Sequence, residues 1–270
     1  DRWPWQHCVR LKKVPTIPIY TFPKKIESTK GPIHAADQTG KHTTPPRSLE
    51  PPSSTTRTMR IIGGIAAGKI LQVPKGLGVR PTPDLVKQAI FNSLGPRIQE
   101  ARVLDLFSGS GALGLESLSR GASQVLSVEK SSKHARWIKG NISKCGMPTH
   151  RHRMKTQDVF TLIPQLITLG ERFDLIMADP PFGDKNRSQR STSLSQKLLD
   201  LENMPSLLKP DGMFLLGHAK RDELSLTPWW VCRKTMKHGD SIFEFLTPAV
   251  AWQPAGDLAI SAPSSEHSEL

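Results

Sequence analysis

Asp179-Pro180-Pro181-Phe182 closes the apolar run Phe173-Asp174-Leu175-Ile176-Met177-Ala178. An acid, two prolines and an aromatic ring at the exit of a buried strand make poor turn chemistry and good site chemistry. Consecutive prolines remove two backbone donors and fix φ, so the chain stays extended and its carbonyls keep one direction. The Asp179 carboxylate and the Pro180 carbonyl suit the two N–H bonds of a planar amino group. Phe182 suits the face of the ring that carries it, once that ring is unpaired or flipped out. Such an amine is a poor nucleophile because its lone pair is delocalised into the ring. Holding both N–H bonds pulls the nitrogen toward a tetrahedral geometry, and orientation then supplies most of the rate.

About seventy residues earlier, Gly109-Ser110-Gly111-Ala112-Leu113-Gly114 reads G-x-G-x-x-G between a strand and a helix. Glu129 ends the next strand, eighteen residues after Gly111, where an acid accepts hydrogen bonds from ribose hydroxyls. Alone, this pattern fits any adenosyl cofactor with a free ribose. Asp105-Leu106-Phe107-Ser108 narrows it. A carboxylate at that strand end repels a pyrophosphate and suits a ligand carrying an ammonium and a sulfonium. S-adenosylmethionine (SAM) carries both and no phosphate, and Asp105 to Gly111, with Phe107 inside, resembles the SAM-binding first motif of class I methyltransferases. NAD and a ligand-free tight turn are the weaker readings. By the same resemblance Asp158, before the helix that follows the third strand, sits where such enzymes hold the adenine amino group; its simpler role is to cap that helix.

The elements that must position these residues follow a strand–helix alternation. Met59–Ile62 and Lys69–Val73, around Gly63-Gly64, suggest a short β-hairpin. Asp84–Leu94 has helical apolar spacing, with Thr82 or Asp84 as N-cap and Pro83 in the first turn. Strands follow at 102–107, 124–129, 151–156, 173–178 and 212–216, with helices at 112–120, 133–144, 159–169 and 193–208. Two last strands, 230–236 and 241–246, make a hairpin at His238-Gly239-Asp240. Unalternating apolar strands such as Val103–Phe107 are what a parallel sheet covered on both faces requires. The expected fold is α/β and doubly wound: a mostly parallel seven-stranded sheet with a C-terminal antiparallel hairpin, preceded by a small N-terminal hairpin and helix.

The chain has 270 residues, 37 Lys and Arg against 24 Asp and Glu, and a formal net charge of +13. That balance favours an anionic partner, most often nucleic acid. Three scattered cysteines, Cys8, Cys145 and Cys232, form neither a disulfide framework nor a zinc knuckle. No apolar run approaches the roughly 18 residues of a membrane span. Residues 1–58 are Pro-rich and basic, and read as a disordered extension: either an organelle presequence or sequence upstream of a start at Met59. Residues 59–247 are the expected domain and 248–270 a disordered tail. His150-Arg151-His152-Arg153 puts two histidines on one strand face without an obvious third ligand, so a basic edge is favoured over a metal site. Trp229-Trp230 is expected to pack at a strand edge rather than stack on bases.

Four motifs in order carry a family resemblance: Met59-Arg60-Ile61-Ile62-Gly63-Gly64; Arg80-Pro81-Thr82-Pro83-Asp84 with Phe91-Asn92; Asp105 through Glu116; and Asp179-Pro180-Pro181-Phe182. From Met59 to about Leu246 the chain resembles the RsmD family, which methylates the N2 amino group of one guanine in bacterial 16S rRNA with SAM. The resemblance implies Arg80 and Thr82 near the cofactor, and a grip on RNA by Arg60 and Lys69. It also implies a monomeric cytoplasmic enzyme, without metal, acting on rRNA or a small-subunit particle. One departure stands out: Gly217-His218-Ala219 replaces an acid before His-Ser. An N6-adenine or other nucleobase enzyme, a protein-glutamine methyltransferase and a non-catalytic RNA-binding assembly factor are the rival readings.

Overall fold

The structure is a computed structural model and describes residues 59–72, 82–182 and 190–250. Expectations for residues 1–58, for Val73, for Arg80 and for the tail after Val250 lie outside the described residues.

The first strands and helices alternate as their patterns require: β1 Arg102–Leu106, α2 Ala112–Ser119, β2 Gln124–Val128, α3 Ser132–Lys144, β3 His152–Lys155, α4 Val159–Thr168 and β4 Phe173–Ala178, with α1 Asp84–Leu94 ahead of them. Each helix entry has a local cause. Ser131 caps α3 by accepting from the His134 N–H, and the Asp158 carboxylate caps α4 by accepting from Phe160 N–H at 3.0 Å. The sheet continues with β5 Leu208–Ala219, β6 Trp230–His238 and β7 Ser241–Pro248.

Strand order is β3-β2-β1-β4-β5-β7-β6. The first five strands are mutually parallel, and β7 is antiparallel to both β5 and β6. This is the expected doubly wound sheet with its terminal hairpin. Apolar cores cover both faces. Val103, Leu175, Met177 and Phe243 face α1, α2 and α3; Leu104, Leu106, Ile176 and Leu216 face α4 and the short helix α5, Leu194–Leu199. Strand order reverses between β1 and β4. The loops leaving those strands therefore diverge and open a crevice at their carboxyl ends.

Four local expectations change. The helix expected over 193–208 ends at Leu199; a 3-10 turn at Met204–Leu207 then leads directly into β5. The C-cap of α5 is Asp200, five residues ahead of Pro205, which lies in the first turn of the 3-10 segment. The N-terminal hairpin is reduced to one bridge, Arg60 with Ile70. Its arms still exchange backbone bonds, Ile61 N–H to Lys69 O at 2.9 Å and Leu71 N–H to Met59 O at 2.8 Å, and a side chain adds to them: the Glu116 carboxylate accepts from Ile62 and Gly63 N–H, both at 2.8 Å. Neither Thr82 nor Asp84 caps α1, whose N-cap is Pro83 with no side-chain bond. His150 sits in a 3-10 turn and only His152 on a strand, so the two do not share a strand face. Burial lowers the His152 pKa to about 4, helped by Lys139, and the neutral ring sits 3.0 Å from Ser127 Oγ. Trp230 packs on Phe214 as expected, with ring centroids 5.3 Å apart.

Candidate active site

Three residues at the β1 exit take positive φ, and glycine fills two of them, Gly109 at φ +53° and Gly111 at φ +79°. Phe107, also at positive φ (+56°), is not a glycine. Backbone held in that region marks a position fixed by its surroundings. Its ring meets Phe160 edge-on, with centroids 6.1 Å apart. Ser108 ties the loop down: its N–H donates to Val128 O at 2.9 Å and its hydroxyl to Asp105 O at 2.7 Å. Glu129 fastens the other side, accepting from Gly109 N–H and Ser131 N–H, both at 2.8 Å. His134 Nδ1 lies 3.4 Å from the same carboxylate.

Against this loop stands the β4 exit. Together they enclose a cavity of about 720 Å³ whose wall includes Phe107, Gly109, Glu129, Lys130, His134, Asp158, Phe160, Asp179, Pro180, Pro181, Phe182 and Phe243. The cavity suits an adenosyl ligand together with part of a second molecule. Among the described lining residues, three carboxylates (Glu129, Asp158 and Asp179) face one lysine, Lys130. Such a wall repels phosphates and favours a cationic ligand. Thr82 and Pro83 complete the wall beside Asp179.

The sequence-derived candidates divide here. Phe107, Gly109, Glu129, Asp158, Thr82 and all four residues from Asp179 to Phe182 come together at the cavity. Asp105 and Gly111 are not in its wall. Asp105 is 2% exposed and its carboxylate turns beneath α2, where Gly114 N–H donates to it at 3.2 Å. A Cβ at Gly114 would lie 2.6 Å from that carboxylate, so the third glycine of the motif is small for packing. Arg60 pairs with Asp84 at 2.7 Å, and neither it nor Lys69 lines the cavity. Spacing along the chain did not bring out His134, Phe160, Leu194, Ser241 or Phe243; the last two come from β7, which no motif marks.

Burial raises the Asp105 pKa from 3.8 to about 7; bonds from Ser108 and Gly114 pull it back, and the nearby Glu129 and Asp179 charges push it further up. The folded chain thus keeps a proton that the unfolded chain releases near pH 3.8. The stability this provides is full below the unfolded value and is lost as pH rises through the folded one. Between about pH 4 and about pH 7 this group is expected to lower stability by about 1.4 kcal/mol per pH unit. Asp105→Asn should flatten that slope in urea titrations repeated across the window. An unchanged slope would show that the carboxylate ionises normally.

A family model described as conserved hypothetical protein 95, that of the RsmD family, matches residues 59–247. The chain belongs to the RsmD family. Ribosomal RNA small subunit methyltransferase D of Haemophilus influenzae is 31% identical over 170 residues, 63% of this chain and 83% of that protein. The protein of the same name from Escherichia coli K12 is 35% identical over 133 residues, covering 49% of this chain and 65% of its own length. The solved structure of yhhF from Escherichia coli superposes with a TM-score of 0.59 at 27% identity, over 71% of this chain and 98% of that one. The fold of this RsmD-family chain is that of the class I SAM-dependent methyltransferases. Among its described residues no group of three His, Cys, Asp or Glu is arranged to hold a metal ion, and no helix is long and apolar enough to cross a membrane.

Proposed function

We propose that this chain methylates the exocyclic N2 amino group of a guanine in small-subunit rRNA, with SAM as donor. The observation that carries the reading is the meeting of the Asp179 motif with the glycine loop in one largely apolar cavity, whose charged lining among the described residues is three carboxylates and one lysine. Membership of the RsmD family, and the names of its small-subunit rRNA methyltransferase relatives, support the substrate. The net charge of +13 suits RNA.

The residues fit the donor. Glu129 accepts from the ribose hydroxyls, Asp158 from the adenine amino group, and Phe107 packs on the adenosyl portion; Arg80 is assigned to the same site. SAM supplies an activated methyl group when bound. Asp105 and Gly111 act one layer below, by holding the loop in shape. On the acceptor side Asp179 and the Pro180 carbonyl take the two amino N–H bonds, Pro181 keeps the segment extended, and Phe182 stacks on the base. Arg60 and Lys69 contribute phosphate contacts outside the cavity.

Incubating the full chain with methyl-labelled SAM and either naked rRNA, small-subunit particles or DNA tests this reading. N2-methylguanosine is the expected labelled nucleoside, from an rRNA-containing sample. Methyladenosine as sole product would overturn the guanine assignment, and cofactor binding without methyl transfer to any of the three would indicate a non-catalytic assembly factor.

A further inference from the structure

Gly217 lies near the carboxyl end of β5, paired with Phe243 of β7 in ordinary extended backbone. No turn or positive φ explains a glycine there. Space does. A Cβ at 217 would lie 2.7 Å from Asp179 Oδ1 and 2.8 Å from Phe243 Cε1, closer than carbon and oxygen atoms can approach without moving. The room that a side chain would fill is already taken by the acceptor carboxylate and by a ring of the cavity wall. The carboxylate cannot easily be displaced, because its other oxygen is bonded: Thr82 Oγ1 donates to Asp179 Oδ2 at 2.9 Å. Thr82 makes no capping bond to α1, so its hydroxyl is spent on Asp179. Behind Gly217, its carbonyl accepts from Ser195 Oγ at 2.9 Å, which ties this point of β5 to α5.

We propose that Thr82 and Gly217 are positioning residues that fix the acceptor carboxylate from its two sides. The Thr82 hydroxyl anchors one oxygen, and the bare backbone at 217 makes room for the other. This inference rests on the methyl-transfer reading above and assigns Thr82 to the acceptor side of the cavity rather than to the donor. It also explains the departure at Gly217. An acid there would need space that this chain gives to Asp179, and would set a second negative charge against it. Residue 217 therefore determines where the acceptor carboxylate sits, and with it the shape of the base site.

The test compares steady-state methylation of rRNA by the full chain and by Thr82→Val, Thr82→Ser and Gly217→Ala, with S-adenosylhomocysteine affinity and thermal midpoint measured on each. Thr82→Val keeps the shape and removes the donor. It is expected to lower kcat by about 10- to 100-fold, the effect of misaligning a positioned group by up to about 1 Å. Affinity for S-adenosylhomocysteine should not change, and Thr82→Ser should recover most of the rate. Gly217→Ala should lower kcat in the same way with KM little affected. Wild-type kcat in Thr82→Val, or a loss in Thr82→Val that Thr82→Ser does not recover, would overturn the proposal, whatever Gly217→Ala does to stability. So would a change confined to KM or to S-adenosylhomocysteine binding. An inactive wild-type chain would instead refute the methyl-transfer reading itself.

Discussion

Asp179→Ala is expected to lower methyl transfer to rRNA by about 100- to 1000-fold, the scale on which a preorganised hydrogen-bonding group at the reacting centre acts. Cofactor affinity should stay near that of the wild type. The reason is the division of the cavity. In the proposed reading the glycine loop, Glu129 and Asp158 form the donor half; they are held by Ser108, by the Glu129 bonds and by the Asp158 cap, none of which involves Asp179. Asp179→Asn tests the chemistry more closely. It keeps one acceptor oxygen but presents an NH₂ group to an amine that also donates, so most of the rate should still be lost. A second signature accompanies it. The Asp179 charge helps to raise the Asp105 pKa, so removing it should move the Asp105 titration to lower pH. Steady-state kinetics, calorimetric binding of S-adenosylhomocysteine and the pH dependence of unfolding separate these effects. Turnover at the native rate in Asp179→Ala would remove the proposed acceptor role.

Glu116→Ala is expected to cost about 3–5 kcal/mol of stability, the usual consequence of deleting one partner from a buried charged network. Glu116 is fully buried on α2. Its carboxylate accepts from Ile62 N–H, Gly63 N–H and Arg120 Nε, the last at 2.7 Å. Removing it strands two backbone donors and a guanidinium that also lies over the Phe91 ring at 4.9 Å. The N-terminal segment has one β-bridge and three backbone bonds between its arms, Ile61 N–H to Lys69 O, Gly68 N–H to Ile61 O and Leu71 N–H to Met59 O; the Glu116 carboxylate adds two more and ties the segment to α2. Urea unfolding measures the loss, and amide exchange at Ile62 and Gly63 should rise ahead of the sheet. Glu116→Gln keeps one acceptor and should fall between wild type and Glu116→Ala. An alanine variant within about 1 kcal/mol of wild type, the range of an ordinary hydrogen bond, would show that the segment is held by its other contacts and not by this carboxylate.

The strands, most helices and both halves of the site were legible along the chain because each rests on local physics. Unalternating apolar runs bury both faces of a parallel strand, Gly109 and Gly111 permit a turn that other residues resist, and Pro180-Pro181 stiffens a strand exit whatever surrounds it. The sheet topology brings the ends of β1 and β4 together, so the two motifs meeting in one crevice was also foreseeable. Asp105 was not. A strand covered on both faces gives no pattern to say which way a given side chain points, and contact with α2 through Gly114 turned this carboxylate down under the loop instead of toward the ligand. Apolar spacing likewise extended to Leu208 a helix that ends at Leu199, because the same spacing runs on through a separate 3-10 turn. Thr82 and Asp179 are 97 residues apart, Ser241 reaches the site from a strand that carries no motif, and Gly217 was legible only as a departure from the family pattern. Side-chain identities pointed to an amine acceptor and a cationic adenosyl donor, the reading proposed above. The packing of distant segments chose the carboxylates that face the cavity, the hydroxyl that anchors Asp179, and the position where even a methyl group has no room.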